Sequence, residues 1–294
     1  MELKTFEFSK ELGWSVSRYD RFLNCKRQYF YDYYGRFDPE IPFEKIIFLK
    51  KMTSKPLEIG NIVHDTIRDT LRRYQKTPKP INKEKFYDYV HKMTLDYCQK
   101  TFSESYYGSD LISPEEIFER VKIISDNFLN SKRFQWIIDN ALKTSSQWVI
   151  EPEGYGEMRI DEYKAHCKVD FLFPVDDKIY ILDWKTGAQS LKKHKRQLVG
   201  YSLWANYHFN KPVKDIVPII VYLYPQYQEQ GIEVDDKIVA DFAAQVKEEI
   251  ENMRSYLVNV EDNIPKDKKE FPPTPNRLCA YCNYRELCKT INDD

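Results

Sequence analysis

Long hydrophobic runs are absent from this sequence, and that absence excludes a membrane-spanning class of protein. No stretch approaches the roughly 20 apolar residues that a transmembrane helix needs. The opening segment, MELKTFEFSK, contains no apolar core of signal-peptide length. We therefore expect a cytoplasmic protein without a membrane partner.

The chain also has few glycines and a net charge close to zero. The chain holds 9 Gly against 22 Tyr and 17 Phe, a composition that favours a packed structure over a disordered one. A formal net charge of −1 gives no overall attraction to nucleic acid, so binding would need a local patch such as LKKHKR at 191–196. The phosphate-binding pattern G-x-x-x-x-G-K-[ST] is also missing, so any unwinding of a duplex would require a partner or an open end.

The spacing of apolar residues predicts a mainly helical first half. A helix is expected at 15–34, with a capping box of Ser17 and Asp20 at its start and Cys25 in its interior. Ser113 is expected to cap a later helix. The further helices are predicted at 56–74, 83–105 and 114–142.

Strand patterns begin at about residue 148. Candidate strands are 148–160, 165–173, 178–185 and 215–225, and candidate helices follow at about 193–208 and 236–257. Helices, then a small sheet, then helices that pack on it indicate an α/β fold with a helical insertion. The regions of this single compact unit are an N-terminal helix and loop (1–55), a helical region (56–147), a core (148–258), and a linker with a C-terminal tail (259–294).

The segment ILDWKTG, residues 181–187, places an acid and a base two positions apart at the end of a strand. Side chains two apart in a strand share a face, so Asp183 and Lys185 lie side by side while Trp184 points the other way. A surface ion pair explains so short a pattern when it is taken alone.

Asp170 lies in the preceding strand, and the turn PVDDK would let it face Asp183 across a hairpin. Two facing carboxylates repel unless a cation lies between them, and an oxygen-rich site of this kind suits Mg²⁺ or Mn²⁺. Lys185 would then orient and help deprotonate a water that attacks a phosphodiester.

Three further residues carry little information singly. A lone histidine on the apolar side of a helix, such as His64, is more often a core residue than a ligand. Gln197 and Tyr201, four positions apart, suit a core-facing helix with a polar end. The order of the whole set is more specific: G-x-x-x-H at 60–64, then Asp170, then D-x-K-T-G, then Q-x-x-x-Y.

This ordered set resembles the PD-(D/E)XK nuclease superfamily, and within it the RecB-like branch of DNA exonucleases. The resemblance implies a restriction-endonuclease-like core, in which a small mixed sheet is flanked by helices, and a metal-dependent phosphodiesterase activity. The implied metal ligands are His64, Asp170, Asp183 and the carbonyl group of Trp184. The implied catalytic residues are Asp170, Asp183, Lys185, which positions the water, and Gln197 and Tyr201, which support the site and the DNA.

Members of that branch often have a further acid ahead of the first aspartate. Glu151, Glu153 and Glu157 all compete for this position. Glu157 is favoured, and none of the three is assigned.

The cysteines form a second site. Six cysteines without a secretion signal favour metal ligation or buried thiols over disulfides. Cys279, Cys282 and Cys288 form C-x₂-C-x₅-C after a proline-rich linker, and Cys25 is the candidate fourth ligand. Zinc bound by four cysteines accounts for these residue types and is the better expectation for a generic intracellular chain.

One cysteine near the start and C-x₂-C-x₅-C at the end resemble the iron-sulfur subgroup of RecB-like nucleases. This subgroup includes CRISPR-associated exonucleases of spacer acquisition and the nuclease domains of bacterial helicase–nuclease complexes. The resemblance implies a [4Fe-4S] cluster that joins the N- and C-terminal segments, with zinc as the alternative. Cys98 and Cys167 fall outside the pattern and are interpreted as small core residues.

Together these features predict an Mg²⁺- or Mn²⁺-dependent DNA exonuclease that acts on single-stranded DNA or open ends. DNA repair, recombination or CRISPR spacer acquisition is the expected setting, with DNA and a helicase or CRISPR integration protein as partners. The alternative is a non-catalytic adaptor of the same fold that binds DNA or a partner protein.

Overall fold

The structure is a computed structural model that describes residues 3–152 and 156–288. Its helices are α1 (Val16–Asn24), α2 (Lys26–Tyr34), α3 (Phe43–Lys51), α4 (Lys55–Lys76), α5 (Lys83–Tyr97), α6 (Ser103–Tyr107), α7 (Pro114–Leu129), α8 (Lys132–Asn140), α9 (Leu191–Phe209) and α10 (Asp236–Arg254). Its strands are β1 (Val149–Ile150), β2 (Glu157–Ile160), β3 (Tyr163–His166), β4 (Phe171–Val175), β5 (Lys178–Lys185), β6 (Ile216–Tyr222), β7 (Gln228–Gly231), β8 (Leu257–Asn259) and β9 (Ile264–Pro265). Within these ranges no helix combines the length and the apolar content that crossing a bilayer requires.

Five strands form one mixed sheet in the order β1-β4-β5-β6-β7. β5 and β6 are parallel and connected through α9, whereas the other neighbouring pairs are antiparallel. Ile179 and Ile181 of β5 belong to one hydrophobic core, and Leu182 and Trp184 belong to the other. Because successive side chains of a strand project to opposite faces, β5 is buried from both sides.

Each face of the sheet is covered by its own helices. Side chains of α1, α2, α9 and α10 pack on the face that carries Ile181, and those of α4, α5, α7 and α8 pack on the face that carries Trp184. The helical region predicted ahead of the sheet is therefore one of two layers around it. The four-region division of the chain stays a prediction.

The single helix predicted at 15–34 is wrong, because α1 and α2 are separated at Cys25. The backbone of Cys25 is extended, with φ −161° and ψ 112°, and Ser15 rather than Ser17 caps α1 by accepting a hydrogen bond from the N–H of Arg18. A break of one residue hardly shifts the spacing of apolar residues along the chain, so the sequence pattern does not reveal it. It leaves Cys25 at the start of α2.

The strand predicted at 165–173 is also two strands. β3 pairs with β2 in a separate ribbon, while β4 joins the main sheet. The ribbon is held by the backbone of Trp14, whose N–H donates to Lys164 and whose carbonyl accepts from His166. A run of strand-forming residues does not tell which partner each half will pair with.

Three other predicted elements end early. The helix predicted at 83–105 ends at Tyr97, and the one predicted at 114–142 is interrupted before Ser131, which caps α8. The predicted cap at Ser113 is confirmed, since its side chain accepts from the N–H of Glu116. Leu257 lies beyond α10 and begins β8 instead.

A buried carboxylate holds three elements together on the α9 side of the sheet. Glu249 of α10 accepts a hydrogen bond from the indole N–H of Trp14, at 2.8 Å, and pairs with the guanidinium of Arg196 on α9. Only 4% of Glu249 is exposed. A buried charge of this kind is tolerated only when it is paired, so the contact fixes how α9 lies against α10.

We expect Glu249→Ala to lower the free energy of unfolding by about 2 kcal/mol, since it leaves the Trp14 and Arg196 donors without their acceptor. Urea denaturation measures the change. The neighbouring Glu248 is exposed and serves as the control, with an expected change within about 0.5 kcal/mol for Glu248→Ala. Equal losses for the two variants would contradict this role for Glu249.

Candidate metal centre and cysteine pocket

The β4–β5 hairpin brings Asp170 and Asp183 to one end of the sheet. Leu172 of β4 pairs with Ile181 of β5. Asp170 lies two positions before Leu172, and Asp183 lies two positions after Ile181. The two aspartates therefore share the face of the sheet that α9 covers. The N–H of Trp184 donates to Oδ2 of Asp170 at 3.0 Å, which fixes the first aspartate against the strand of the second.

Asp183 is 1% exposed and has a defined partner for each carboxylate oxygen. The ammonium of Lys185 lies 2.6 Å from Oδ2, and the hydroxyl of Tyr201 donates to Oδ1 at 2.8 Å. The side-chain amide of Gln197 donates in turn to the hydroxyl oxygen of Tyr201. Burial, and then Asp183, raise the pKa of Tyr201 well above its usual value, so its hydroxyl keeps the proton that it donates. The predicted juxtaposition of Asp183 and Lys185 is therefore present, and the structure adds a contact between Gln197 and Tyr201.

His64 approaches the same end of the sheet from α4. Gly60, one turn earlier, faces the hydroxyl of Thr186, which directly follows β5. With α4 in this position, Nδ1 of His64 lies 3.5 Å from Asp170 and 3.8 Å from Glu151. His64, Glu151 and Asp170 each offer one ligand atom within 4.8 Å of the others.

The charges of this group explain its pKa shifts. Burial lowers the pKa of His64, but Asp170, Glu151 and Asp183 outweigh it and raise the pKa to about 9. Burial, together with the nearby Asp183, raises the pKa of Asp170. Negative charge is therefore concentrated around His64, and one imidazole with carboxylate oxygens is a donor set that suits Mn²⁺ or Mg²⁺. The residues fit a divalent cation.

Glu151, and not the favoured Glu157, completes this group. Glu151 directly follows β1, and Arg68 and Lys168 lie 3.9 and 3.8 Å from its Oε2. Glu157 lies in β2 and pairs instead with Arg159 and with Lys164. Glu153 lies outside the described residues. The sequence carried a signal for Glu151, because WVIE, like ILD, is an apolar run that ends in an acid.

Trp184 enters the centre through its backbone. Its N–H binds Asp170, while its indole packs edge-on against Phe128 with 5.3 Å between the ring centres. The role of its carbonyl as a metal ligand stays a prediction.

A cleft opens beside the buried carboxylate. Lys185, Gln197 and Tyr201 line it together with Lys168 and His194, and α1 borders it through Ser15 and Ser17. The basic run at 191–196 forms the first turns of α9, and His194 of that run lines the cleft. Positive side chains thus stand next to the acidic group, as a site for a phosphodiester requires.

The four cysteines of the second site line one pocket. Cys25, Cys279, Cys282 and Cys288 converge there, and all are free thiols. Burial, with smaller contributions from the other three thiols nearby, raises the pKa of Cys282 to about 11. In the described part of the chain, no three of these sulfurs come within 4.8 Å of one another.

Side-chain contacts join the two chain ends around this pocket. Nε of Arg27 donates to the carbonyl of Phe271 at 2.9 Å, and the hydroxyl of Tyr284 donates to Asp32 at 2.7 Å. The chain segments that meet here are separated by more than 200 residues, so their ordering needs many contacts or a shared ligand.

The remaining cysteines lie elsewhere. Cys167 is buried beneath α9, where a side chain added at Gly200 would come 2.9 Å from its sulfur. Cys98 is partly buried against the other core. Both positions agree with the interpretation of these two as small core residues.

The chain is similar to several known proteins. A family model described as the PD-(D/E)XK nuclease superfamily matches residues 13–289. The CRISPR-associated exonuclease Cas4 of Francisella tularensis subsp. novicida (strain U112) is 22% identical over 132 residues, which are 45% of this chain and 59% of that protein. The solved structure of SSO0001 is 19% identical, with a TM-score of 0.31 over 60% of this chain and 71% of that one.

We expect Glu151→Gln to weaken Mn²⁺ binding by about tenfold or more, because it removes a charged oxygen ligand beside His64. Isothermal titration calorimetry on the isolated chain measures the affinity. Glu157→Gln is the matched control and should bind Mn²⁺ as the unmodified chain does. A loss in Glu157→Gln with full binding in Glu151→Gln would reverse the assignment.

Proposed function

The chain belongs to the PD-(D/E)XK nuclease superfamily, and from this premise we propose that it is an Mg²⁺- or Mn²⁺-dependent DNA exonuclease. The predicted α/β fold is confirmed: a five-stranded mixed sheet is flanked by helices. The observation that carries the proposal is one contact, the pairing of Lys185 with the buried carboxylate of Asp183 beside His64, Glu151 and Asp170.

The proposed ligands of the cation are His64, Glu151, Asp170, Asp183 and the carbonyl of Trp184. When bound, a divalent cation polarises the scissile phosphate and makes an attacking water more acidic. The hydroxyl of Tyr201 donates a hydrogen bond to Asp183 and thereby holds that carboxylate in one orientation, and Gln197 holds Tyr201. These two residues position the site and need not touch the DNA.

The proposed role of Lys185 depends on where its ammonium group lies. Its ammonium is held by Asp183 and also borders the cleft, so it can donate to a water or to a phosphate oxygen that enters there. Lys168 and His194 border the same cleft and would bind the neighbouring phosphates. Single-stranded DNA or an open end suits this arrangement, because one strand then enters without being unwound.

The pathway is proposed from the name of the similar protein. Cas4 of Francisella tularensis subsp. novicida is a CRISPR-associated exonuclease, which supports CRISPR spacer acquisition as the pathway, with DNA repair or recombination as the wider class. A CRISPR integration protein or a helicase is the corresponding candidate partner.

We further propose that the four cysteines hold a [4Fe-4S] cluster. A tetrahedral zinc site, with Zn–S bonds of about 2.3 Å, brings its sulfurs to within about 4 Å of one another. In a four-iron cluster each thiolate binds a different iron, so the sulfurs stand farther apart. The four cysteines that line one pocket offer the ligand set of either centre, and the resemblance to the iron-sulfur subgroup favours the cluster over zinc. The cluster would fasten the chain ends, because phosphodiester hydrolysis calls for no electron.

We expect Lys185→Ala to slow DNA digestion about 100-fold or more, because the water loses the group that orients it. Digestion of end-labelled single-stranded and duplex DNA by anaerobically purified protein in Mn²⁺ measures the rate, and EDTA should stop the reaction. Binding of labelled DNA should persist. Lys178→Ala changes an exposed lysine at the other end of β5 and should leave the rate unaltered.

An unmodified chain that binds DNA but does not cut it at high enzyme concentration would overturn the exonuclease proposal. The adaptor hypothesis would then take its place, and the acidic group would be a metal site without catalysis.

We expect the anaerobically purified protein to be brown, with broad visible absorbance and with iron and inorganic sulfide in equal amounts. Cys25→Ser should lose this absorbance, because one of the four thiolates is gone. Cys98→Ser, outside the pocket, should keep it. A colourless protein that contains zinc would contradict the cluster.

A further inference from the structure

The cysteine pocket contains a buried hydroxyl group that no cysteine pattern predicts. Tyr31 lies on the side of α2 that faces the pocket, two turns after Cys25, and it lines the pocket with all four cysteines. The residue is 2% exposed, and its hydroxyl oxygen makes no hydrogen bond with any described residue. A buried hydroxyl without a partner costs about 1–3 kcal/mol, so such groups are rare unless a ligand satisfies them.

None of the charged groups near Tyr31 accepts its proton. Arg27 and Lys268 are donors only, and the nearby carboxylate of Asp38 instead pairs with Lys268 and accepts from the N–H groups of Glu40 and Ile41. Arg27 already donates to the carbonyls of Phe271 and Lys268, and the ammonium of Lys268 pairs with Asp38 and Glu40. No described residue accepts a hydrogen bond from the O–H of Tyr31, so an acceptor bound in the pocket would complete its hydrogen bonding.

Tyr284 provides an internal comparison. It stacks on Tyr31, with 5.1 Å between the ring centres, and it lines the same pocket. Its hydroxyl, however, donates to Oδ1 of Asp32 at 2.7 Å. Of these two stacked tyrosines, only Tyr31 has a hydroxyl proton that is free to reach into the pocket.

We propose that Tyr31 donates a hydrogen bond to a sulfur of the cluster held by the four cysteines, and so stabilises the cluster's more negative, reduced form. This inference rests on the proposed cluster. Burial raises the pKa of Tyr31, so the hydroxyl stays protonated near neutral pH and remains a donor. Hydrogen bonds to the sulfurs are one of the means by which a protein sets the reduction potential of such a cluster.

The test is a redox titration of the anaerobically purified, cluster-containing chain and of Tyr31→Phe, followed by visible absorbance and electron paramagnetic resonance. We expect the reduced form of the variant to be about tenfold less favoured, which for a one-electron couple is a shift of ~59 mV to more negative potential. Bleaching in air should also be faster. Removal of an unpaired buried oxygen leaves an apolar side chain of the same shape, so the variant should fold.

Tyr284→Phe is the matched control. It removes a hydroxyl from the same pocket wall, but one that is engaged with Asp32, so we expect a loss of stability without a shift in potential. Tyr31→Met, which lacks the hydroxyl and keeps a large apolar side chain, should shift the potential in the same direction as Tyr31→Phe.

The outcomes separate the two proposals. If all three proteins contain iron and sulfide, and the unmodified chain, Tyr31→Phe and Tyr31→Met have the same reduction potential, the role of Tyr31 is overturned. The cluster proposal then still stands. Equal shifts for Tyr31→Phe and Tyr284→Phe would also overturn it, because packing alone would then explain the change. An unmodified chain without iron and sulfide would refute the cluster itself, and the inference with it.

Discussion

A buried carboxylate, that of Asp183, is the constraint on which the rest of the site depends. A charge with 1% exposure is stable only when its oxygens face a positive or hydrogen-bonding partner, and each of them has one. The partner on the same strand is the ammonium of Lys185, which the two-residue period of β5 supplies. The other is Tyr201, which requires α9 to cross directly over the end of β5. The position of a whole helix is thus linked to one side chain.

The same requirement extends outward from α9. Arg196, next to Gln197, pairs with the buried Glu249 of α10, and Glu249 also accepts from Trp14 just ahead of α1. The helices that cover this face of the sheet are therefore joined to α9 by polar contacts as well as by apolar packing. From the helical layer on the other face of the sheet, α4 places His64 next to the carboxylates at the end of the sheet. The site lies where the two layers meet the hairpin.

At the cysteine pocket, α2 contacts a C-terminal segment of the chain that is distant from it in sequence. Arg27, Asp32 and Tyr284 already tie α2 to the C-terminal segment. Each such hydrogen bond contributes only about 1 kcal/mol, while ordering both chain ends costs more than a few of them provide. A ligand shared by four thiolates would supply the difference, because its binding free energy is also folding free energy.

The sequence by itself determined the features that depend on local period and residue type. Asp183 and Lys185 share a face because the period of a strand is two, the hairpin after Asp170 follows from its turn, and α4 and α10 follow from long apolar stripes. Only the tertiary structure decided which residues complete each site. Glu151 joins His64 because β1 pairs with β4, and although the apolar run WVIE pointed to an acid at a strand end, only this pairing distinguishes Glu151 from Glu157. The break at Cys25 and the unpaired hydroxyl of Tyr31 are equally invisible in a local pattern, because both depend on what the distant C-terminal segment presents to α2.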